Sequence, residues 1–160
     1  MKLFSLSSAA CALLCPLLAV AEPPAKPDAD MKAVLDTLGT LGGKPIETLT
    51  PDEARKQPTP TDAVKKLIET KTKKPAAPEP VAKVQDVTYP GAAGDKLAAR
   101  VYIPKGKGPM PVIVYFHGGG WVIANIDVYD AAPRSLANQT GAIVVSADYR
   151  MAPEHKFPAA

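Results

Sequence analysis

Cysteine is almost missing from this 160-residue sequence, and the two present, Cys11 and Cys15, both lie among the first 21 residues. Those residues read as a removable leader, so the chain that follows has no cysteine. That excludes a disulfide framework, thiolate metal ligation and a cysteine nucleophile. Serine is also scarce: beyond residue 21 only Ser135 and Ser146 occur. Residues 22–83 contain no aromatic side chain, so they cannot build a large core alone. Neither sign of charge dominates. Nineteen Lys and Arg stand against sixteen Asp and Glu, a formal +3. With no basic stripe, nothing points to nucleic acid. Hydrophobic residues at 46% and charged residues at 22% are ordinary for a soluble globular protein. Collagen, a multi-span membrane protein and a disulfide scaffold are all excluded by composition. Proline is the one excess, at 18 residues, against a usual level of about 5%. The length allows one domain and little more.

Residues 1–21 have the order of a secretory signal peptide. Lys2 supplies the positive start, and residues 3–20 carry no charge. Ala19-Val20-Ala21 fits the small-x-small rule for cleavage before Glu22. Ser5, Ser7, Ser8 and Pro16 weaken the competing reading as a membrane span. The expectation is export to the periplasm or the extracellular space. Loss of Lys2 would leave eighteen basic and sixteen acidic residues.

Residues 22–80 form a proline-rich arm and linker. The spacing of Met31, Val34, Leu35, Leu38 and Leu41 predicts a helix over 31–41, with Asp30 as its cap. Thr50-Pro51-Asp52-Glu53 is a compact start signal with a capping box. A third helix is expected over 63–69, capped by Thr61 or Asp62. Residues 71–80 read as an extended linker. Residues 81–160 differ. Alternation over 84–89 and 96–103 around a Gly91–Asp95 turn predicts a β-hairpin. The apolar run 112–116 reads as a buried parallel strand. A helix opening at Tyr129 or Asp130 and a second strand over 142–147 complete a crossover unit. The fold class is therefore α/β.

The chemistry-bearing stretch is His117-Gly118-Gly119-Gly120-Trp121, directly after the strand. Consecutive glycines let the backbone approach a ligand and turn its N–H groups outward. At the carboxyl end of a central strand, such a pair suits an oxyanion. A phosphate loop is disfavoured, because neither Gly-Lys-Ser/Thr nor G-x-G-x-x-G is present.

Together with Asp148-Tyr149-Arg150-Met151-Ala152-Pro153-Glu154-His155-Lys156-Phe157-Pro158-Ala159-Ala160, this loop resembles the hormone-sensitive-lipase-like esterases of the α/β-hydrolase fold. Met151 stands where that family usually has leucine. The resemblance covers residues 84–160 strongly, and residues 31–69 match the family's helical cap. It implies a serine acyl-enzyme mechanism on small carboxylic esters, without metal or organic cofactor. Gly119 and Gly120 would donate to the oxyanion, Gly118 would give the turn and His117 would hold the loop. Trp121 would border the substrate pocket, or simply pack. Asp148, Tyr149, Arg150 and Glu154 would form a polar network bracing the loop after the second strand, or be simple turn and surface residues.

The family's serine sits in a G-x-S-x-G elbow, followed by Asp/Glu and His. Neither Ser135 nor Ser146 has such glycine flanks, and no histidine follows His155. The expectation is an N-terminal part of an α/β-hydrolase sheet, a fragment inactive by itself. A separately encoded C-terminal half would be one way to complete it. A non-catalytic binding module of the same origin is the alternative.

Overall fold

The computed structural model describes residues 25–160, so the expected signal peptide at residues 1–21 lies outside the described residues. The arm contributes three α-helices: α1 (Ala29–Thr40), α2 (Pro51–Arg55) and α3 (Pro60–Thr72). Their starts are dictated by short polar side chains that satisfy free N–H groups. Asp28, two residues earlier than expected, caps α1 by accepting from Met31 N–H at 2.8 Å. Thr50 and Glu53 form the expected capping box on α2. The cap of α3 is Thr59, with Pro60 at the first helical position and Asp62 closing a second box. Neither Thr61 nor Asp62 is the cap. Asp62 instead returns to the Thr59 N–H at 2.8 Å, and the helix gains its first turn from that exchange. α1 and α3 pack on each other, with Ala63 fully buried.

The hairpin follows as β1 (Lys83–Pro90) and β2 (Lys96–Ile103), antiparallel from Lys83↔Ile103 to Pro90↔Lys96. Its turn closes through Gly91 N–H to the Asp95 carbonyl at 2.7 Å. Next come β3 (Val112–Phe116), α4 (Ala131–Thr140) and β4 (Ile143–Asp148). Gly141, at φ 67°, ends α4 in the left-handed conformation that favours glycine. The sheet order is β1-β2-β4-β3, with β4 antiparallel to β2 and parallel to β3. This is an α/β fold in which β4, the last of the described strands, lies between β2 and β3.

The two faces of the sheet differ. One is covered by α4, and Tyr102, Val144 and Ala137 are buried there beside Ile113, Tyr115 and Leu136. Tyr102 Oη donates to Asp130 at 2.7 Å, and Asp130 also binds Arg134 at 2.6 Å. Burial pushes the Asp130 carboxyl up, but these hydrogen bonds outweigh it and the net shift is downward. On the other face Val112, Val114 and Phe116 are 60%, 57% and 64% exposed. β3 is parallel, as its apolar run suggests, but within these residues it is buried on one face only. It is the sheet's edge, and no described element covers its second face.

Candidate active site

Two parallel neighbours in register bring the two motifs together. Phe116 pairs with Ala147, so residues 117–121 leave β3 beside residues 149–154 leaving β4. This is the carboxyl end of the strands, where open α/β sheets place their sites.

Hydrogen bonds aim the glycine turn. The Gly118 carbonyl meets His117 Nδ1 at 2.9 Å. A carbonyl can only accept, so Nδ1 carries the proton. The Gly119 carbonyl accepts from Val122 N–H at 3.1 Å and Ile123 N–H at 3.0 Å. Across a trans peptide the N–H points opposite to the C=O. The Gly119 N–H therefore points away from the His117 ring, and the Gly120 N–H away from the 122–123 turn. Neither N–H meets an acceptor among the described residues. Glycine is required here for two reasons. Gly119 has φ 130°, and a Cβ on it would overlap the Ile123 carbonyl oxygen. A Cβ on Gly118 would lie 2.7 Å from Tyr129 Oη. Trp121 continues the left-handed run at φ 60°, unusual for a large residue. Its carbonyl is held by Ala152 N–H at 2.8 Å.

His117 is buried, and its ring stacks on Tyr149 with centroids 4.5 Å apart. Tyr149 Oη donates to the His117 carbonyl at 2.6 Å. Burial, with the charges of its neighbours, pushes the Tyr149 phenol up and keeps it a neutral donor. Asp148 Oδ1 stands 3.7 Å from His117 Nε2, too far for a hydrogen bond. The structure does not bring Arg150 to this loop. Arg150 Nη1 turns to Asp95 in the hairpin turn, at 3.7 Å. Glu154 faces the arm, where both its oxygens meet Arg55 at 2.8 Å.

Arg55 had no assigned role in the sequence. It also donates Nε–H to the Val122 carbonyl at 2.8 Å and Nη2–H to the Ala152 carbonyl at 2.9 Å. Thr61 adds a bond from α3 to the Val128 carbonyl at 2.9 Å. Between arm and loop lies a cavity of about 700 Å³, lined by Leu35, Leu38, Ile46, Ala54, Gly119 and Ile123 among others. A second cavity of about 460 Å³ is bordered by Gly119, Gly120, Trp121 and Tyr149. Gly119 lies on both. Among the described residues no three His, Cys, Asp or Glu side chains cluster closely enough to hold a metal ion.

The comparisons with known proteins agree with the fold. Residues 113–160 match the family described as the α/β-hydrolase fold. A carboxylic ester hydrolase of Mycobacterium tuberculosis, LipN, is 46% identical over 77 residues, 48% of this chain and 20% of its own length. The chain belongs to the hormone-sensitive-lipase-like esterases of that fold. An ethyl acetate hydrolase of Pseudomonas putida is 32% identical over 138 residues, covering 82% of this chain and 41% of its own. A hyperthermophilic esterase from the archaeon Pyrobaculum calidifontis superposes with a TM-score of 0.61 at 38% identity. That superposition covers 81% of this esterase-family chain and 38% of the archaeal one. The chain thus spans between one fifth and about two fifths of the length of these relatives.

The Arg55–Glu154 pair gives this part of the hydrolase fold a specific acid response. The hydrogen bonds from Arg55 pull the Glu154 carboxyl down to about 2. Its stabilising contribution is complete above the ordinary value of 4.5 and is withdrawn as the pH falls toward 2. Glu154→Gln is therefore expected to melt below the wild type at pH 6. The difference should close as the pH is lowered through this window, as read by thermal melts at several pH values.

Proposed function

We propose that this chain carries the oxyanion-binding part of an exported serine hydrolase acting on small carboxylic esters. The observation that carries the reading is the turn at residues 118–120, whose Gly118 and Gly119 carbonyls are tied inward while the Gly119 and Gly120 N–H groups face outward. A serine Oγ would add to the ester carbonyl carbon, and the carbonyl oxygen, gaining negative charge, would lie between these donors. Each such donor is worth about 2.7–4 kcal/mol of transition-state stabilisation. The alcohol would leave with a proton, and water would release the acid from the acyl-enzyme. The apolar cavity between arm and loop would take one of the substrate's carbon chains, with Trp121 at the rim of the second cavity. Export rests on residues 1–21, read as a signal peptide.

The nucleophile and its partners are not among these 160 residues in this reading. Ser146 is fully buried in β4, and Ser135 Oγ accepts from Gln139 on α4. The missing groups would come with a further stretch of hydrolase polypeptide, in the same chain or as a separate half. That stretch would pair with the free edge of β3 and cover Val112, Val114 and Phe116. The same open face is what a non-catalytic binding module would present to a strand-donating partner.

Two measurements test this. The purified 160-residue chain should neither hydrolyse p-nitrophenyl butyrate nor become labelled by a fluorophosphonate. Joined after Ala160 to the remaining part of the Pyrobaculum esterase, it should gain that turnover. A chimera that melts cooperatively yet hydrolyses no ester would sink the enzymatic reading. Labelling of Ser135 or Ser146 with turnover would sink the need for completion.

A further inference from the structure

We propose that Arg55 is a positioning residue: through it the helical arm sets the conformation of the glycine turn. The inference rests on the reading of Gly119 and Gly120 as oxyanion donors and assigns that site its control element. Arg55 lies in α2, far in sequence from the two loops it touches. One planar guanidinium holds two loops at once, through the Val122 carbonyl at 2.8 Å and the Ala152 carbonyl at 2.9 Å. Its remaining donors meet Glu154 in a fork at 2.8 Å each and Asp52 at 3.4 Å.

The two carbonyls are not arbitrary points. The N–H of Val122 donates to the Gly119 carbonyl, whose peptide carries the Gly120 N–H on its other side. Ala152 N–H donates to the Trp121 carbonyl at 2.8 Å. Arg55, Val122, Trp121 and Ala152 therefore close a ring of contacts around the exit of the turn. Moving the guanidinium shifts Val122, and with it the peptide that aims Gly120. A lysine cannot replace it, because a single ammonium lacks the fixed fork that reaches two carbonyls and a carboxylate together. Thr61 supplies the contrast. It joins arm to loop at the Val128 carbonyl, outside that ring. If arm contacts mattered only for docking the arm, Thr61 and Arg55 would be equivalent.

Residue-resolved hydrogen exchange on the 160-residue chain decides between these. Arg55→Lys should raise exchange at the Val122, Ile123 and Ala152 amides about tenfold or more, with β4 and α4 amides unchanged. Thr61→Val should leave those three amides as in the wild type. Should Arg55→Lys melt the whole chain, Glu154→Gln takes its place, loosening the same three amides by a smaller factor. Unchanged exchange at the three amides, or equal loosening across β4 and α4, overturns the proposal. In the ester-hydrolysing chimera, Arg55→Lys should lower kcat with little change in KM. If the amides loosen but kcat holds, the coupling stands and the oxyanion reading falls. If the amides do not loosen, the coupling falls whatever the loop binds.

Discussion

Gly119→Ala will abolish the protection of the Val122 and Ile123 amides against hydrogen exchange. Both amides donate to the Gly119 carbonyl, and the turn closes on that one atom. The added Cβ would overlap the Ile123 carbonyl oxygen and lie 2.8 Å from its carbon. Neither neighbour is a flexible side-chain end, so relief means moving backbone. The φ of 130° also lies where an L-residue is strained whatever the space. Gly120→Ala is the control. Its φ of 59° is left-handed, but a Cβ there meets nothing within 4 Å. That substitution costs about 1–2 kcal/mol of backbone strain and leaves the turn closed. In the ester-hydrolysing chimera Gly119→Ala should lower kcat about 10²–10³-fold, the loss typical of one missing oxyanion donor.

Tyr102→Ala will remove the largest single contribution to the core, about 3–5 kcal/mol by analogy with other aromatic truncations. Tyr102 is fully buried on β2, packed with Val144 and Ala137 under α4. Its hydroxyl donates to Asp130, and the Arg134 guanidinium lies 5.6 Å from its ring centre. Truncation opens a cavity and takes one partner from a carboxylate that still holds Arg134 and Arg100. Domains of this size have only about 5–15 kcal/mol in total. Tyr102→Phe keeps the packing and loses one hydrogen bond, so about 1 kcal/mol is expected. Urea denaturation of the three proteins checks the order, and equal stabilities for Tyr102→Ala and Tyr102→Phe would contradict it.

The parts legible in the sequence are those whose signal is local. The Gly91–Asp95 turn between alternating runs specified the hairpin, and Thr50-Pro51-Asp52-Glu53 specified α2. Gly141 stopped α4 because only the left-handed cap was needed there. The caps of α1 and α3 were displaced for reasons also written locally. Asp28 and Asp30 both precede an apolar period, and which one caps is decided by a single hydrogen bond to Met31. Thr59-Pro60-Thr61-Asp62 repeats the pattern of α2 with Asp in place of Glu. What the sequence hid was long-range. Nothing around Arg55 says that its fork closes on Glu154, 99 positions later. Arg150 sits within the motif that suggested a bracing network, yet it turns to the hairpin. The second face of β3 reads as apolar whether or not anything covers it.

The order β1-β2-β4-β3 has a consequence for how the chain assembles. The hairpin closes from neighbouring residues and forms early. β3 is made next, but the strand it pairs with, β4, has not yet been made. Residues 143–148 must enter between β2 and β3 before the four strands become one sheet. Until then Val112 to Phe116 is an apolar strand with two empty edges, held only by its flanking loops. During synthesis at about 5–20 residues per second, the roughly 30 residues from β3 to β4 keep that strand unpaired for seconds. The glycine turn exists as a site only after that interval has ended.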